Sequence, residues 1–61
     1  MIKFKDLQQF ARENAYTVKR LKLKCFAWKR NDKNNFEFSS SVKDTLQQIC
    51  LDIQKKLLEQ I

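Results

Sequence analysis

The sequence predicts a small α+β domain: a helix, a short helix or strand, a β-hairpin, and a long closing helix. Three observations lead there. Apolar residues recur at steps of three and four near both ends of the chain, which is helical spacing. The stretch between them alternates and is interrupted by asparagine-rich turns. With 61 residues the chain makes one domain, near the lower size limit for folding without a disulfide or a metal. The expected organisation is a single domain over 1–61, with a helix over 4–14, a short helix or strand over 17–24, a hairpin over 25–39 and a long amphipathic helix over 41–61. An αββα arrangement with a long first strand is the alternative.

Ile2 and Phe4 alternate with lysines as an extended lead-in. Asp6 then offers an N-cap for a helix whose apolar positions are Leu7, Phe10 and Ala11. Asn14 stops this helix, because asparagine tolerates the left-handed cap conformation. Glycine and proline are both absent, which excludes glycine-rich phosphate loops. Residues at positive φ are therefore expected among Asn14, Asn31, Asp32, Asn34 and Asn35.

Residues 17–24 admit two readings. In one, residues 18–30 form a single extended run, with apolar side chains on both faces and half of the strand unpaired. In the other, Thr17 caps a short helix that turns Val18, Leu21 and Cys25 inward and leaves Leu23 partly exposed. The helix is preferred. Residues 25–29 then pair with 36–39 across an asparagine-rich loop. Phe26 and Trp28 share one face of that hairpin, and Phe36 and Phe38 can join them.

Ser39, Ser40 and Ser41 offer caps for the last helix, and Ser41 with Asp44 forms a capping box. Val42, Leu46, Ile49, Cys50, Ile53, Leu57 and Ile61 recur along it, giving an amphipathic helix about 30 Å long. Leu46, Ile49, Ile53 and Leu57 are the candidates for a dimer or partner seam. The monomer's own core is the competing use for them.

Charge is the main functional signal. Of the 13 basic residues, Lys19, Arg20, Lys22, Lys24, Lys29, Arg30 and Lys33 fall within residues 19–33, against Asp32 alone; that window carries the whole formal net charge of +6. A focused positive patch attracts polyanions over about a Debye length, and nucleic acid is the commonest of these in cells.

Under the helical reading, Leu7, Phe10, Ala11, Ala15, Tyr16, Thr17 and Leu21 resemble the helix-turn-helix of small winged domains of the excisionase and MerR type, over about residues 2–45. Ala15 stands where that family has a turn glycine. The resemblance implies a recognition helix over 17–24 in the major groove, with the hairpin as a wing on flanking DNA. It further implies an accessory or regulatory role in recombination or transcription.

The expected function is thus duplex-DNA binding, favoured over RNA, through Thr17, Lys19, Arg20, Lys22, Lys24, Lys29, Arg30 and Lys33. Arg20 is the side chain suited to bidentate guanine recognition, and Thr17 places a helix N-terminus at a phosphate. Two alternatives accompany it. Trp28 and Phe26 can form a stacking platform for single-stranded nucleic acid or RNA. The helix over 42–61 can instead dock on a protein, as an adaptor or inhibitor, or join two copies as a homodimer. Catalysis is not expected, because there is no histidine and no paired acid/base constellation. Two distant cysteines, Cys25 and Cys50, read as small buried hydrophobes; neither a metal nor another cofactor is expected. No apolar run approaches a membrane span and no signal-peptide core is present, so a cytoplasmic location is expected.

Overall fold

The computed structural model describes residues 2–60. The chain runs α1 (Phe4–Glu13), β1 (Tyr16–Lys22), β2 (Cys25–Arg30), β3 (Glu37–Ser39) and α2 (Val42–Glu59). The three strands form an antiparallel sheet in the order β1-β2-β3. Both helices pack on one face of it. Leu7 and Ala11 of α1, Tyr16 and Val18 of β1, Trp28 of β2 and Ile49 of α2 make the core. No helix of the described residues is long and apolar enough to cross a membrane.

The first helix begins at Phe4, the expected bound, but its N-cap is not Asp6. Lys3 is its N-cap, and Asp6 sits in the first turn, where its Oδ2 accepts from the Lys3 backbone N–H at 3.3 Å. Leu7 and Ala11, four residues apart, share the face that meets the sheet. At the other end Asn14 is the C-cap at φ −110°. Its side-chain Nδ2 donates to the Phe10 carbonyl at 2.8 Å, which also accepts from the Asn14 backbone N–H at 3.2 Å. The left-handed position falls one residue later, on Ala15 at φ 64°. None of the asparagines expected at positive φ adopts it; Ala15 is the only described residue that does.

Residues 17–24 are not a helix, so the preferred reading is corrected. Nor do residues 18–30 run as one long strand. The chain turns at Leu23-Lys24, between the paired residues Lys22 and Cys25, giving αβββα in place of αββα. As a strand, β1 buries Tyr16 and Val18 and supplies the backbone partner that β2 requires. A helix there would leave β2 with an open edge. Tyr, Thr and Val in succession also suit a half-buried strand. With no positive φ at Leu23 or Lys24, the turn is not of the primed type that matches strand twist. A bulge between Arg20 and Lys22 takes up the mismatch.

The hairpin of β2 and β3 forms as expected, but in a register that separates its aromatics. Phe26 lies opposite Ser39, Ala27 opposite Phe38 and Trp28 opposite Glu37. Phe38 therefore shares a face with Ala27 and points away from Phe26 and Trp28. A one-residue offset suffices, since strand side chains alternate. The Ser39 hydroxyl, bonded to Thr45 of α2, holds Ser39 on the helix side.

Ser41 caps α2 as expected, its Oγ accepting from the Asp44 N–H at 3.0 Å. The reciprocal half of the box shifts by one residue: Asp44 accepts from the N–H of Ser40 at 3.4 Å. Thr45, not part of the apolar stripe, is fully buried. Its hydroxyl donates to the Ser41 carbonyl at 2.6 Å. Ile49 is fully buried in the monomer's core, and Leu46 and Ile53 are partly buried against it. Leu57 is exposed, beside Leu51 and Leu58. Ile61 lies outside the described residues. Cys25 is half-buried and Cys50 exposed, so neither is the buried hydrophobe expected.

A β-carbon at a left-handed position costs about 1–2 kcal/mol. Part of the gain on removing it is lost to the extra freedom glycine confers on the unfolded chain. Ala15→Gly should therefore stabilise the fold by up to about 1 kcal/mol, raising the melting temperature by about 4–8 °C per kcal/mol. Ala15→Val should lower it. Thermal denaturation followed by circular dichroism checks both signs.

Candidate nucleic-acid interface

Antiparallel register assigns every sheet residue to a face. Tyr16, Val18 and Arg20 of β1, Phe26, Trp28 and Arg30 of β2, and Glu37 and Ser39 of β3 turn toward the helices. Thr17, Lys19, Cys25, Ala27, Lys29 and Phe38 form the opposite face, which no helix or strand covers. Phe38 is 62% exposed there, although it is a large aromatic in a small domain. Ala27, in the central strand, is buried between its register neighbours Lys19 and Phe38.

Phe36 ends the loop that precedes β3 and organises the cations of this face. The Lys19 ammonium lies 5.1 Å from its ring centroid and the Lys29 ammonium 5.6 Å. Each ammonium is attracted by the ring quadrupole. Lys29 is tethered again by donation from Nζ to the Lys33 carbonyl at 3.2 Å. Lys22, Leu23 and Lys24 stand exposed at the hairpin end, with Leu23 at 77%. Among the described residues, Arg30 is the only basic side chain in an ion pair. The remaining cations of the window are not neutralised.

The helix side is tied to α2 by polar contacts. Trp28 Nε1 donates to Gln48 Oε1 at 2.8 Å. The Tyr16 hydroxyl donates to Asp52 Oδ2 at 2.5 Å. Arg30 is buried, with Nε on Asp32 Oδ1 at 2.9 Å and Nη1 3.9 Å from Asp52 Oδ2. These contacts satisfy groups that would be costly to bury alone.

The expected site residues therefore divide. Lys19 and Lys29 lie on the open face, Lys22 and Lys24 at the hairpin end, and Lys33 in the loop. Thr17 begins no helix; it is half-buried and its hydroxyl donates to Asn31 Oδ1 at 2.6 Å. Arg20 projects toward the helix side, its guanidinium 5.9 Å from the Phe4 centroid and 5.8 Å from that of Phe26. Arg30 is a buried structural cation. Trp28 and Phe26 are 6% and 2% exposed and cannot stack on bases. Phe38 and Phe36 hold the positions on the open face that had been expected of that pair. The signal for them was present in the alternation of 36–39; only the register was needed to read it.

Compared with known proteins, the chain matches no family model, no curated protein and no solved structure.

Burial, and then the bond to the Asp52 carboxylate, raise the Tyr16 phenol well above its ordinary value. The folded state thus keeps a proton that the unfolded chain releases near pH 10. The stability this contributes is complete below about pH 10 and is lost as pH rises above it. Tyr16 is the only tyrosine, so phenolate absorbance reports it alone. We expect that absorbance to appear only together with alkaline unfolding, and Tyr16→Phe to flatten the alkaline loss of stability. Ionisation near pH 10 with an unchanged circular dichroism spectrum would contradict the bond.

Proposed function

We propose that this protein binds single-stranded nucleic acid on the open face of its sheet. The observation that carries this is Phe38, a largely exposed ring on the edge strand of an uncovered sheet face that also carries Lys19 and Lys29. Exposed aromatics on a basic sheet are a recurrent means of holding unpaired bases, because every base has a π-face and every linkage a phosphate. Phe38 would supply the stacking surface. Lys19 and Lys29, each near the Phe36 ring on the same face, would supply phosphate contacts, and Lys22 and Lys33 would extend the charge toward either end. Lysine suits this task as a flexible point charge that imposes no base preference.

A second reading rests on the hairpin end. Leu23 projects between Lys22 and Lys24, and a two-stranded β-ribbon fits the major groove of duplex DNA. This retains the duplex target with a ribbon in place of a recognition helix.

The two separate on substrate and on variant. Labelled oligonucleotide anisotropy should show tighter binding to single strands than to duplex of equal length. Four lysine contacts on a single strand give a log–log salt slope of about −2.8. Phe38→Ala should weaken single-strand binding by about 1–3 kcal/mol per stacked base, or about 5- to 150-fold. Lys19→Glu should weaken it too, whereas Lys5→Glu on α1, an equal change in net charge, should not. Preference for duplex, abolished by Lys22→Glu with Lys24→Glu and indifferent to Phe38→Ala, would select the ribbon. Trp28 fluorescence should stay nearly constant, because the indole is buried.

A further inference from the structure

A cleft of about 330 Å³ opens beside the start of β3, between the loop after β2 and the outer side of α2. It exists because β3 is only three residues long. Trp28 is the last residue of β2 paired with it, so Lys29 and Arg30 continue without a third strand beside them. Lys29, Lys33 and Lys55 line the opening, together with the carboxamides of Asn34 and Asn35. Lys55 comes from α2, outside the basic window of the sequence. Behind them, Arg30 and Asp52 are occupied with each other and with Asp32 and Tyr16. Glu37 is the one carboxylate of the wall outside that set, and it makes no ion pair among the described residues.

Four basic residues line the cleft, Lys29, Arg30, Lys33 and Lys55, against the carboxylates Glu37 and Asp52, and this excess of positive charge favours an oxyanion. Lys29 joins this cleft to the open face: its ammonium lies near the Phe36 ring and it also lines the cleft. A chain stacked on Phe38 and led past Phe36 would round the β3 edge to reach the cleft, whose Trp28, Arg30 and Glu37 belong to the helix side of the sheet.

We propose that the cleft is a phosphate subsite, in which Lys55 of α2 and Lys33 of the loop close on a phosphate of the strand held by the sheet. The subsite rests on the single-strand reading given above. It makes α2 part of the binding surface and extends the footprint around the β3 edge. The phosphate is either a backbone diester or a strand terminus, and both present the same oxyanion.

The test uses the full chain and oligonucleotides of one sequence carrying a 5′-phosphate, a 3′-phosphate or neither. Lys55→Glu should weaken binding about five- to tenfold and make the salt slope shallower by about one contact. Lys5→Glu should change it by less than about twofold. Glu37→Gln should tighten binding severalfold, a gain that misfolding cannot produce. An equal loss on all three oligonucleotides identifies a backbone phosphate, and a loss confined to one phosphorylated end identifies a terminus. If Lys55→Glu matches Lys5→Glu and Glu37→Gln gains nothing while Phe38→Ala still weakens binding, the subsite is overturned and the sheet reading stands. If Phe38→Ala has no effect while Lys55→Glu and Glu37→Gln behave as stated, the cleft binds phosphate and the stacking reading falls.

Discussion

The register of β2 against the helices is the constraint on which the rest of this molecule depends. Phe26, Trp28 and Arg30 alternate onto the helix side, and each is committed there. Phe26 stacks near Phe4 with ring centroids 5.7 Å apart. Trp28 donates to Gln48, and Arg30 meets Asp52, whose same oxygen accepts from Tyr16. A slip of one residue would present Ala27 and Lys29 to the core and expel the indole. It would also break the Trp28–Gln48 hydrogen bond, worth about 0.5–1.5 kcal/mol net, and carry Arg30 away from Asp52. In a domain whose net stability is only about 3–5 kcal/mol, that difference is decisive.

Once that register is set, the composition of the other face follows. A three-stranded sheet with both helices on one side leaves its far side to solvent, and alternation delivers Lys19, Lys29 and Phe38 to it. The lysines are ordinary for such a surface. Phe38 is not, because exposing a large ring forgoes burial worth about 1.5–3 kcal/mol. Nothing in the packing of the domain requires an aromatic there. Phe36 is different: its ring is half-covered and holds two ammonium groups, so it contributes to the order of the loop as well as to the charge of the face.

The helical elements were legible in the sequence because their periodicity is local. Leu7, Phe10 and Ala11 marked α1, the serines and the Val42-to-Ile53 stripe marked α2, and the alternation at 36–39 marked β3. The failures lie where a tertiary partner decides. Residues 17–24 carry apolar spacing compatible with either state, and only the open edge of β2 makes the strand win. The Leu23-Lys24 turn has neither glycine nor asparagine, so nothing marks it, and the bulge before it blurs the alternation. Ala15 takes the left-handed position because the chain must turn there to bring Tyr16 beneath α2, and its carbonyl accepts from the Asn31 N–H at 2.9 Å. The candidate site was legible as a charge cluster but not as a surface. Without the register, Phe38 could not be told from Trp28, and Lys55, distant in sequence, carried no signal at all.

Seven basic residues within fifteen would repel one another in any compact state, and Asp32 is spent on Arg30. The fold does little to neutralise the rest: the Lys19 and Lys29 ammonium groups each lie near the Phe36 ring, and the Lys33 carbonyl accepts one hydrogen bond from Lys29. Such an arrangement leaves the isolated domain less stable than the same fold with its charges dispersed. A polyanion that binds only the folded state returns that loss, by an amount that grows with ligand concentration over its dissociation constant. Under the proposed function, the lysines that cost the free domain stability would be its principal contacts with the phosphates. Charge that is unsatisfied by the fold, placed on a face that the fold leaves uncovered and next to a ring it does not bury, is physically consistent with a ligand that completes the structure.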